Sequence, residues 1–103
     1  ALPEISKKKL KKYKIISCPG CYPTSVLLPL IPLVKNNLIK NSNIIIDSKS
    51  GYSGAGKNLE NKFTHKNLYN SVFAYNTKQH RHVAEIDQEF KKHTKKNYQI
   101  LFI

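Results

Sequence analysis

The chain has 103 residues, which is enough for one domain at most, and its 40% hydrophobic and 23% charged residues exclude an intrinsically disordered protein. Lys and Arg outnumber Asp and Glu by 18 to 6, and all of the basic residues except Arg81 are lysines. This excess favours an anionic partner, but the reading of nucleic-acid bases favours Arg. We therefore expect no nucleic-acid partner and keep a basic nucleic-acid-binding module as an alternative.

The longest apolar stretch, residues 26–34, is too short to span a bilayer and contains two prolines. The N-terminal residues contain no apolar segment of the kind found in signal peptides. We therefore expect a cytoplasmic protein without a membrane partner, a setting in which structural disulfides are rare.

In the first half of the chain, residues 1–5 resemble the tail of an earlier segment, and residues 7–14 are a lysine run typical of a solvated face or loop. Residues 13–17 predict a short strand that leads into a turn. Apolar residues then recur every three to four positions, which predicts a helix over residues 24–39 that Pro29 and Pro32 should kink or divide.

The second half alternates short predicted strands with loops and one helix. In chain order these are a buried strand at 44–46, an irregular loop at 50–56, a loop with a short helix at 57–69, a possible strand at 72–75, a helix at 85–95 and a strand at 98–103. The order of elements predicts an α/β or α+β fold.

The sequence Cys18-Pro19-Gly20-Cys21 has three functional interpretations, besides a pair of buried structural cysteines. It could be half of a zinc site completed by His80 and His82, although that histidine spacing is poor. It could be a redox dithiol, for which the spacing is right. In the third interpretation Cys21 alone is a nucleophile, because it begins a helix whose unpaired N–H groups and dipole favour the thiolate.

Two further segments could take part in chemistry. The loop at residues 50–56 is SGYSGAG, whose glycines and serines can close around phosphate or amide groups, although an ordinary flexible loop is an equal alternative. His80-Arg81-His82 combines a general base with an anion-binding side chain, and Glu85 follows it, although such clusters are more often simple surface features. Together with Cys21 these residue types suit acyl transfer.

Three segments resemble signatures of the N-acetyl-gamma-glutamyl-phosphate reductases. CPGCYPT at 18–24 resembles NPGCYPT, DSKSGYSGAG at 47–56 resembles D-[AS]-K-S-G-x-S-G-A-G, and AYN…HRHVAEI at 74–86 resembles AY…HRHxPEI. Three departures are Cys18 in place of the family's Asn, Ala84 in place of its Pro, and Pro29, which adds a second proline to the helix. None affects Cys21 or the HRH and SGAG segments.

The resemblance implies a fragment of the C-terminal catalytic domain of a fold like that of glyceraldehyde-3-phosphate and aspartate-semialdehyde dehydrogenases, with a mixed sheet and flanking helices. Residues 1–14 would be the exit from a missing N-terminal Rossmann domain that binds NADP, and residues 15–103 part of the catalytic and oligomerisation domain. We expect a homo-oligomer, either dimer or tetramer, and no activity from the fragment alone.

The resemblance also implies an activity, the NADPH-dependent reduction of N-acetyl-gamma-glutamyl phosphate to its semialdehyde in arginine biosynthesis. Cys21 would form a thioester and release phosphate. His82 is the first choice for acid and base and His80 the second, and an extended segment would point their side chains in opposite directions.

The remaining site residues follow from the same resemblance. Arg81 and Glu85 would hold the substrate or orient a histidine. The nicotinamide end of NADP(H) would be lined by Ser50, Gly51, Ser53, Gly54 and Gly56. We expect no metal.

Overall fold

The computed structural model describes residues 2–57, 70–76, 80–94 and 98–103. In these ranges the helices are α1 (Pro3–Leu10), α2 (Cys21–Lys35) and α3 (His82–His93), with a short 3-10 helix at Tyr52–Ala55. Strands β1 (Ile44–Ile46) and β2 (Ile100–Phe102) pair in parallel, with Ile44 opposite Ile100. The predicted α/β class is confirmed at this level. The finer fold assignment stays a prediction.

The hydrophobic core lies where α2 packs against α3. Helix α2 contributes a continuous stripe at helical spacing, because positions three and four residues apart share one face. Leu27 of α2 and Phe90 of α3 are each 1% exposed, and both belong to this core. The other members are Leu2, Val26, Leu30, Ile31, Val34 and Ile86. The same packing brings the first turns of the two helices together.

Helix α2 begins at Cys21 rather than at residue 24 and ends at Lys35 rather than at residue 39. Pro23 lies in its first turn, where a missing N–H removes no helical hydrogen bond. The helix ends where Asn37 takes a positive φ of 54°. Pro29 and Pro32 are both exposed and lie within one continuous helix. Of the two predicted outcomes, a kink or a division of the helix, the division does not occur.

Two predicted strands are wrong. Residues 13–17 and 72–75 are irregular, and Ile15 and Val72 are about nine-tenths exposed, at 89% and 90%. A strand of that length is stable only with a hydrogen-bonded neighbour. The lysine run is solvated as expected, but its first part belongs to α1, which the sequence did not predict. Pro3 and Glu4 at the start of α1 and lysines in its last turn suit a helix.

Other boundaries also differ from the predictions. Strand β1 is only half-buried, since Ile45 is 65% exposed while its two neighbours pack against the core. The Gly/Ser loop contains the 3-10 helix and is therefore not wholly irregular. Helix α3 begins at His82 rather than at residue 85. The loop and short helix expected at 57–69 lie outside the described residues from residue 58 onward.

Candidate active site

Cys21 is the first residue of α2, as the sequence predicts for a nucleophile. Gly20 before it is extended, with φ −63° and ψ 170°, and its carbonyl accepts hydrogen bonds from the Thr24 N–H at 3.1 Å and the Thr24 hydroxyl at 2.9 Å. Cys21 is exposed, and the first turn of α2 contains no acidic residue. The thiol is therefore open to a substrate at the positive end of the helix.

His82 lies directly against the residue that precedes Cys21. A Cβ atom added to Gly20 would fall 2.4 Å from His82 Nε2, so the imidazole occupies the space that any other residue's side chain would need. His82 is 8% exposed, and its Nδ1 has no hydrogen-bond partner among the described residues. A buried polar atom without a partner is uncommon in folded proteins and marks this histidine as a functional candidate.

The two histidines lie together. Their ring centroids are 4.9 Å apart, and the His82 backbone N–H donates to His80 Nδ1 at 3.2 Å. Opposite directions were expected for an extended segment, but the segment turns into α3 at this point, so that condition is not met. Both candidates for acid and base therefore belong to one cluster.

Glu85 connects α3 to the start of α2. Its Oε2 accepts a hydrogen bond from the Gly20 N–H at 3.1 Å, and the two residues are 65 positions apart in the chain. Arg81 is exposed and immediately precedes α3. Its positive charge is the smallest of the influences on the pKa values of His80 and Tyr75. For His80 it adds to the lowering by burial, and for Tyr75 it partly offsets a larger rise.

Two tyrosines that the sequence analysis did not single out complete the cluster. The Tyr22 ring lies edge-on to His80, with centroids 5.3 Å apart, and Tyr75 lies edge-on to His80 at 5.6 Å. The Tyr75 hydroxyl donates to the Tyr22 hydroxyl at 3.1 Å. Their positions in the sequence could have indicated them, since Tyr22 directly follows Cys21 and Tyr75 lies shortly before the HRH segment.

The cluster favours neutral side chains. Burial, followed by electrostatic interactions with His82 and Arg81, lowers the pKa of His80 from its ordinary value. Burial and the hydrogen bond to Tyr22, with smaller effects of charge on Tyr22 and Cys21, raise the pKa of Tyr75 to about 12. These shifts favour a neutral His80 imidazole and a protonated Tyr75 hydroxyl near pH 7.

A cleft of about 810 Å³ extends from Cys21 along α2 and is closed on its other side by β1 and the Gly/Ser loop. Four of the five predicted cofactor residues line it, namely Ser50, Gly51, Ser53 and Gly54. Gly56 is not among the lining residues, but its φ of 92° is one that glycine adopts readily. The structure thus brings Cys21 and the loop to one cleft.

The loop is folded tightly on itself. A Cβ added to Gly54 would fall 2.4 Å from Ser50 Oγ, so glycine at this position allows the close approach. The Ser50 hydroxyl also donates to the Gly51 carbonyl at 2.9 Å. At the same wall of the cleft, Lys49 and Asp47 form an exposed ion pair at 2.5 Å.

The geometry does not favour a redox dithiol. Cys18 and Cys21 are both exposed free thiols, and residues 18–20 contain no turn. Gly20 between them is extended, with φ −63° and ψ 170°, rather than part of a turn that would bring the two thiols together. Within the described residues no group of three or more His, Cys, Asp or Glu side chains could hold a metal ion. None of the described helices is long and apolar enough to cross a membrane.

Comparison with known proteins identifies the family to which the chain belongs. Residues 21–103 match the family model described as semialdehyde dehydrogenase, dimerisation domain. The chain is 47% identical over 88 residues to the N-acetyl-gamma-glutamyl-phosphate reductase of Ehrlichia canis (strain Jake), which covers 85% of this chain and 25% of that protein. It is 48% identical over 87 residues to the protein of that name from Prochlorococcus marinus (strain MIT 9515), with 84% of this chain and 25% of the relative covered.

A plant relative is similar to the same degree. The probable chloroplastic N-acetyl-gamma-glutamyl-phosphate reductase of Arabidopsis thaliana is 47% identical over 87 residues, covering 84% of this chain and 22% of that protein. The chain thus spans about a quarter of the length of the curated relatives that it matches. These matches confirm the resemblance that the three sequence signatures indicated.

Proposed function

Because the chain belongs to the family of semialdehyde dehydrogenase dimerisation domains, we propose that it is the part of an N-acetyl-gamma-glutamyl-phosphate reductase that contains the nucleophile. The observation that most supports this proposal is the arrangement around Cys21. The thiol shares a cleft with the Gly/Ser loop, and the residue before it contacts both His82 and Glu85. A nucleophile, a base and an open cleft are the parts that acyl transfer requires.

In the proposed reaction the Cys21 thiolate attacks the acyl carbon of the acyl phosphate. The carbon–oxygen bond to phosphate breaks, phosphate leaves with the electron pair, and a thioester remains on Cys21. His82 accepts the thiol proton before the attack, and His80 is the second candidate for this role. His82 later gives a proton to the oxygen of the reduced thioester and takes it back as the carbon–sulfur bond breaks. The products are the semialdehyde and the free thiolate.

A nicotinamide cofactor, when bound, supplies the hydride that reduces the thioester. Ser50, Gly51, Ser53 and Gly54 fit its nicotinamide end, since they line the same cleft as Cys21 and the space beside Gly51 is open, with no atom closer than 3.8 Å to an added Cβ. The cleft volume lies within the range of small-molecule sites, about 300–1,000 Å³. We propose NADP(H) as the cofactor, with most of its contacts in a domain outside this chain.

Several wider assignments belong to the same proposal. Arg81 and Glu85 would hold the substrate or orient the histidines, and for Glu85 the contact with Gly20 favours an orienting role. The dimerisation-domain match supports a homo-oligomer. We further propose that residues 1–14 lead from a nucleotide-binding domain and that the enzyme acts in arginine biosynthesis. The cytoplasmic location stays a prediction.

The proposal is tested by replacing the nucleophile in the full-length enzyme. Cys21→Ser should lower the rate of acyl-phosphate reduction by at least about 10³-fold, because a hydroxyl is a far weaker nucleophile than a thiolate at neutral pH. Cys18→Ser is the matched control and should keep most of the activity. Retained reduction in Cys21→Ser, or equal loss in both variants, contradicts the proposal.

A further inference from the structure

The Tyr22–Tyr75 pair encloses His80 on two sides. Tyr22 comes from the first turn of α2 and is 7% exposed, and Tyr75 comes from the segment at residues 70–76. Both rings meet the imidazole edge-on, with interplanar angles of 68° and 64°. The hydrogen bond between the two hydroxyls joins the phenol rings. The imidazole of His80 contacts both rings of this joined pair of tyrosines, here called the bracket. Edge-to-face contacts at these distances are the favoured arrangement of aromatic rings.

The bracketed histidine is in turn bonded to the start of α3. The His82 N–H donates to His80 Nδ1, so a neutral His80 carries its proton on Nε2. Protonation of His80 would place a second N–H on Nδ1, opposite the N–H of His82, and would break this bond. The contact therefore persists only while His80 is neutral. His82, whose ring lies against Gly20, is the donor of this bond, so the bond joins His80 to the residue beside Gly20.

We propose that Tyr22 and Tyr75 are positioning residues that keep His80 neutral and in place beside the first turn of α3, and thereby set the orientation of His82 next to Cys21. This inference rests on the proposed function, since it assigns a role within that reaction. Neither tyrosine needs to touch the substrate. Each acts through the imidazole that it encloses.

The pKa values of His80 and Tyr75 agree with these contacts. The titratable and charged groups around His80 include Tyr22 from α2, Tyr75 from residues 70–76, and Arg81 and His82 at the start of α3. Burial is the largest cause of the lowered pKa of His80, and the two phenol rings cover it on two sides. Tyr75 has a pKa of about 12, so the hydroxyl that joins the rings remains a donor across the working pH range.

The test uses two variants of Tyr75 in the full-length enzyme. Tyr75→Phe keeps the ring and removes the hydroxyl, and should lower kcat/KM about two- to tenfold, the effect expected for one lost neutral hydrogen bond. Tyr75→Leu removes the ring, exposes the imidazole to water and should raise the pKa of His80 toward its ordinary value of 6.5. The acid limb of the pH profile of kcat/KM should then move to higher pH.

Two readouts are measured on each variant. The pH profile of kcat/KM reports the reaction, and the rate of diethyl pyrocarbonate modification of His80, followed by residue-resolved mass spectrometry across pH, reports the neutral imidazole without requiring turnover. Tyr98→Phe is the matched control, because it removes a tyrosine hydroxyl that bonds to Asp87 farther along α3. It should leave both readouts unchanged.

The outcomes separate this inference from the proposed function. A shift of both readouts in Tyr75→Leu, with neither shifted in Tyr98→Phe, supports the bracket. Unchanged titration and modification of His80 in folded Tyr75→Leu overturn it. If Tyr75→Leu does not fold, an unchanged kcat/KM in Tyr75→Phe overturns it. If the wild-type enzyme does not reduce the acyl phosphate, the proposed function fails, while a shifted modification profile still supports the bracket around His80.

Discussion

The two ends of α3 differ in whether their polar side chains have hydrogen-bond partners. Toward its C-terminal end Lys91 donates to Asp87 at 2.6 Å and Lys92 donates to Glu89 at 2.5 Å, and Asp87 also accepts from Tyr98. At its first turn, by contrast, His82 is buried with an Nδ1 that has no partner among the described residues. This contrast agrees with the catalytic role that we propose for residues at the first turn of α3.

The difference follows from the energetics of polar groups. Partly exposed ion pairs satisfy their own hydrogen-bonding groups, so they add modest stability and no reactivity. A buried imidazole nitrogen without a partner destabilises the fold, and such groups are retained mainly where chemistry uses them. Lys91 and then Tyr98 hold the pKa of Asp87 below its usual range. Burial instead holds the pKa of His80 down, which keeps that group neutral.

The largest effect that we expect at the first turn comes from filling the space beside His82. Gly20→Ala would place a Cβ 2.4 Å from His82 Nε2, so the imidazole or the helix must move. We expect the free energy of unfolding to fall by about 1–3 kcal/mol. We expect kcat/KM of the full-length enzyme to fall about 100-fold, because the base is displaced from the nucleophile.

Urea unfolding and steady-state kinetics measure these two effects of Gly20→Ala. Gly51→Ala is the control for stability alone, since the Cβ added there would have its nearest neighbour at 3.8 Å, an ordinary contact. Its free energy of unfolding should change by less than about 1 kcal/mol. Wild-type stability and kinetics in Gly20→Ala would mean that His82 does not lie against Gly20.

A smaller effect is expected from the bond between α3 and the start of α2. Glu85→Ala removes the acceptor for the Gly20 N–H and should lower kcat/KM about tenfold, with a loss of about 1 kcal/mol in unfolding free energy because the bond is exposed. Glu85→Gln keeps an acceptor oxygen of the same reach and should stay within about threefold of the wild-type kcat/KM. An equal loss of kcat/KM in the two variants would show that the charge of Glu85 is needed. That result would favour substrate binding or proton transfer by Glu85 over a positioning role.

The smallest effect is expected at the other end of α3. The folded-state pKa of Asp87 is lowered, so at acid pH the unfolded chain binds more protons at this group than the folded chain does. Its contribution to stability is therefore present above its ordinary pKa of 3.8 and is lost as the pH falls below that value. Asp87→Asn should lower the unfolding free energy at pH 7 by only about 0.2–1 kcal/mol, because the pair is partly exposed.

Thermal unfolding at pH 7 and near pH 3 measures this contribution of Asp87. The difference between Asp87→Asn and the wild type should shrink at the lower pH and in high salt, which screens the pair with Lys91. The kcat/KM of the variant should match that of the wild type. A drop in kcat/KM would remove the contrast between the two ends of α3.

The elements that were predicted from the sequence are those with a local cause. Helix α2 follows from an apolar period of three to four residues, and α3 from its acids early and lysines late. The same charge order was present in α1 but was interpreted as a lysine run. The strands expected at 13–17 and 72–75 are wrong because β-propensity reports a fit to a pleated surface, and none of the described strands pairs with either segment.

The sequence by itself determined the position of Cys21 at a helix start, the family signatures and the identities of the candidate histidines. Those features depend on residue type and short spacing, which the chain carries along its length. Only the tertiary structure decided that His82 lies against Gly20, that Glu85 contacts the backbone of the same glycine, and that the two tyrosines enclose His80. Apart from the contact of Tyr75 with His80, these contacts join residues more than 50 positions apart, and the packing of α2 against α3 brings them together. No local pattern contains that information.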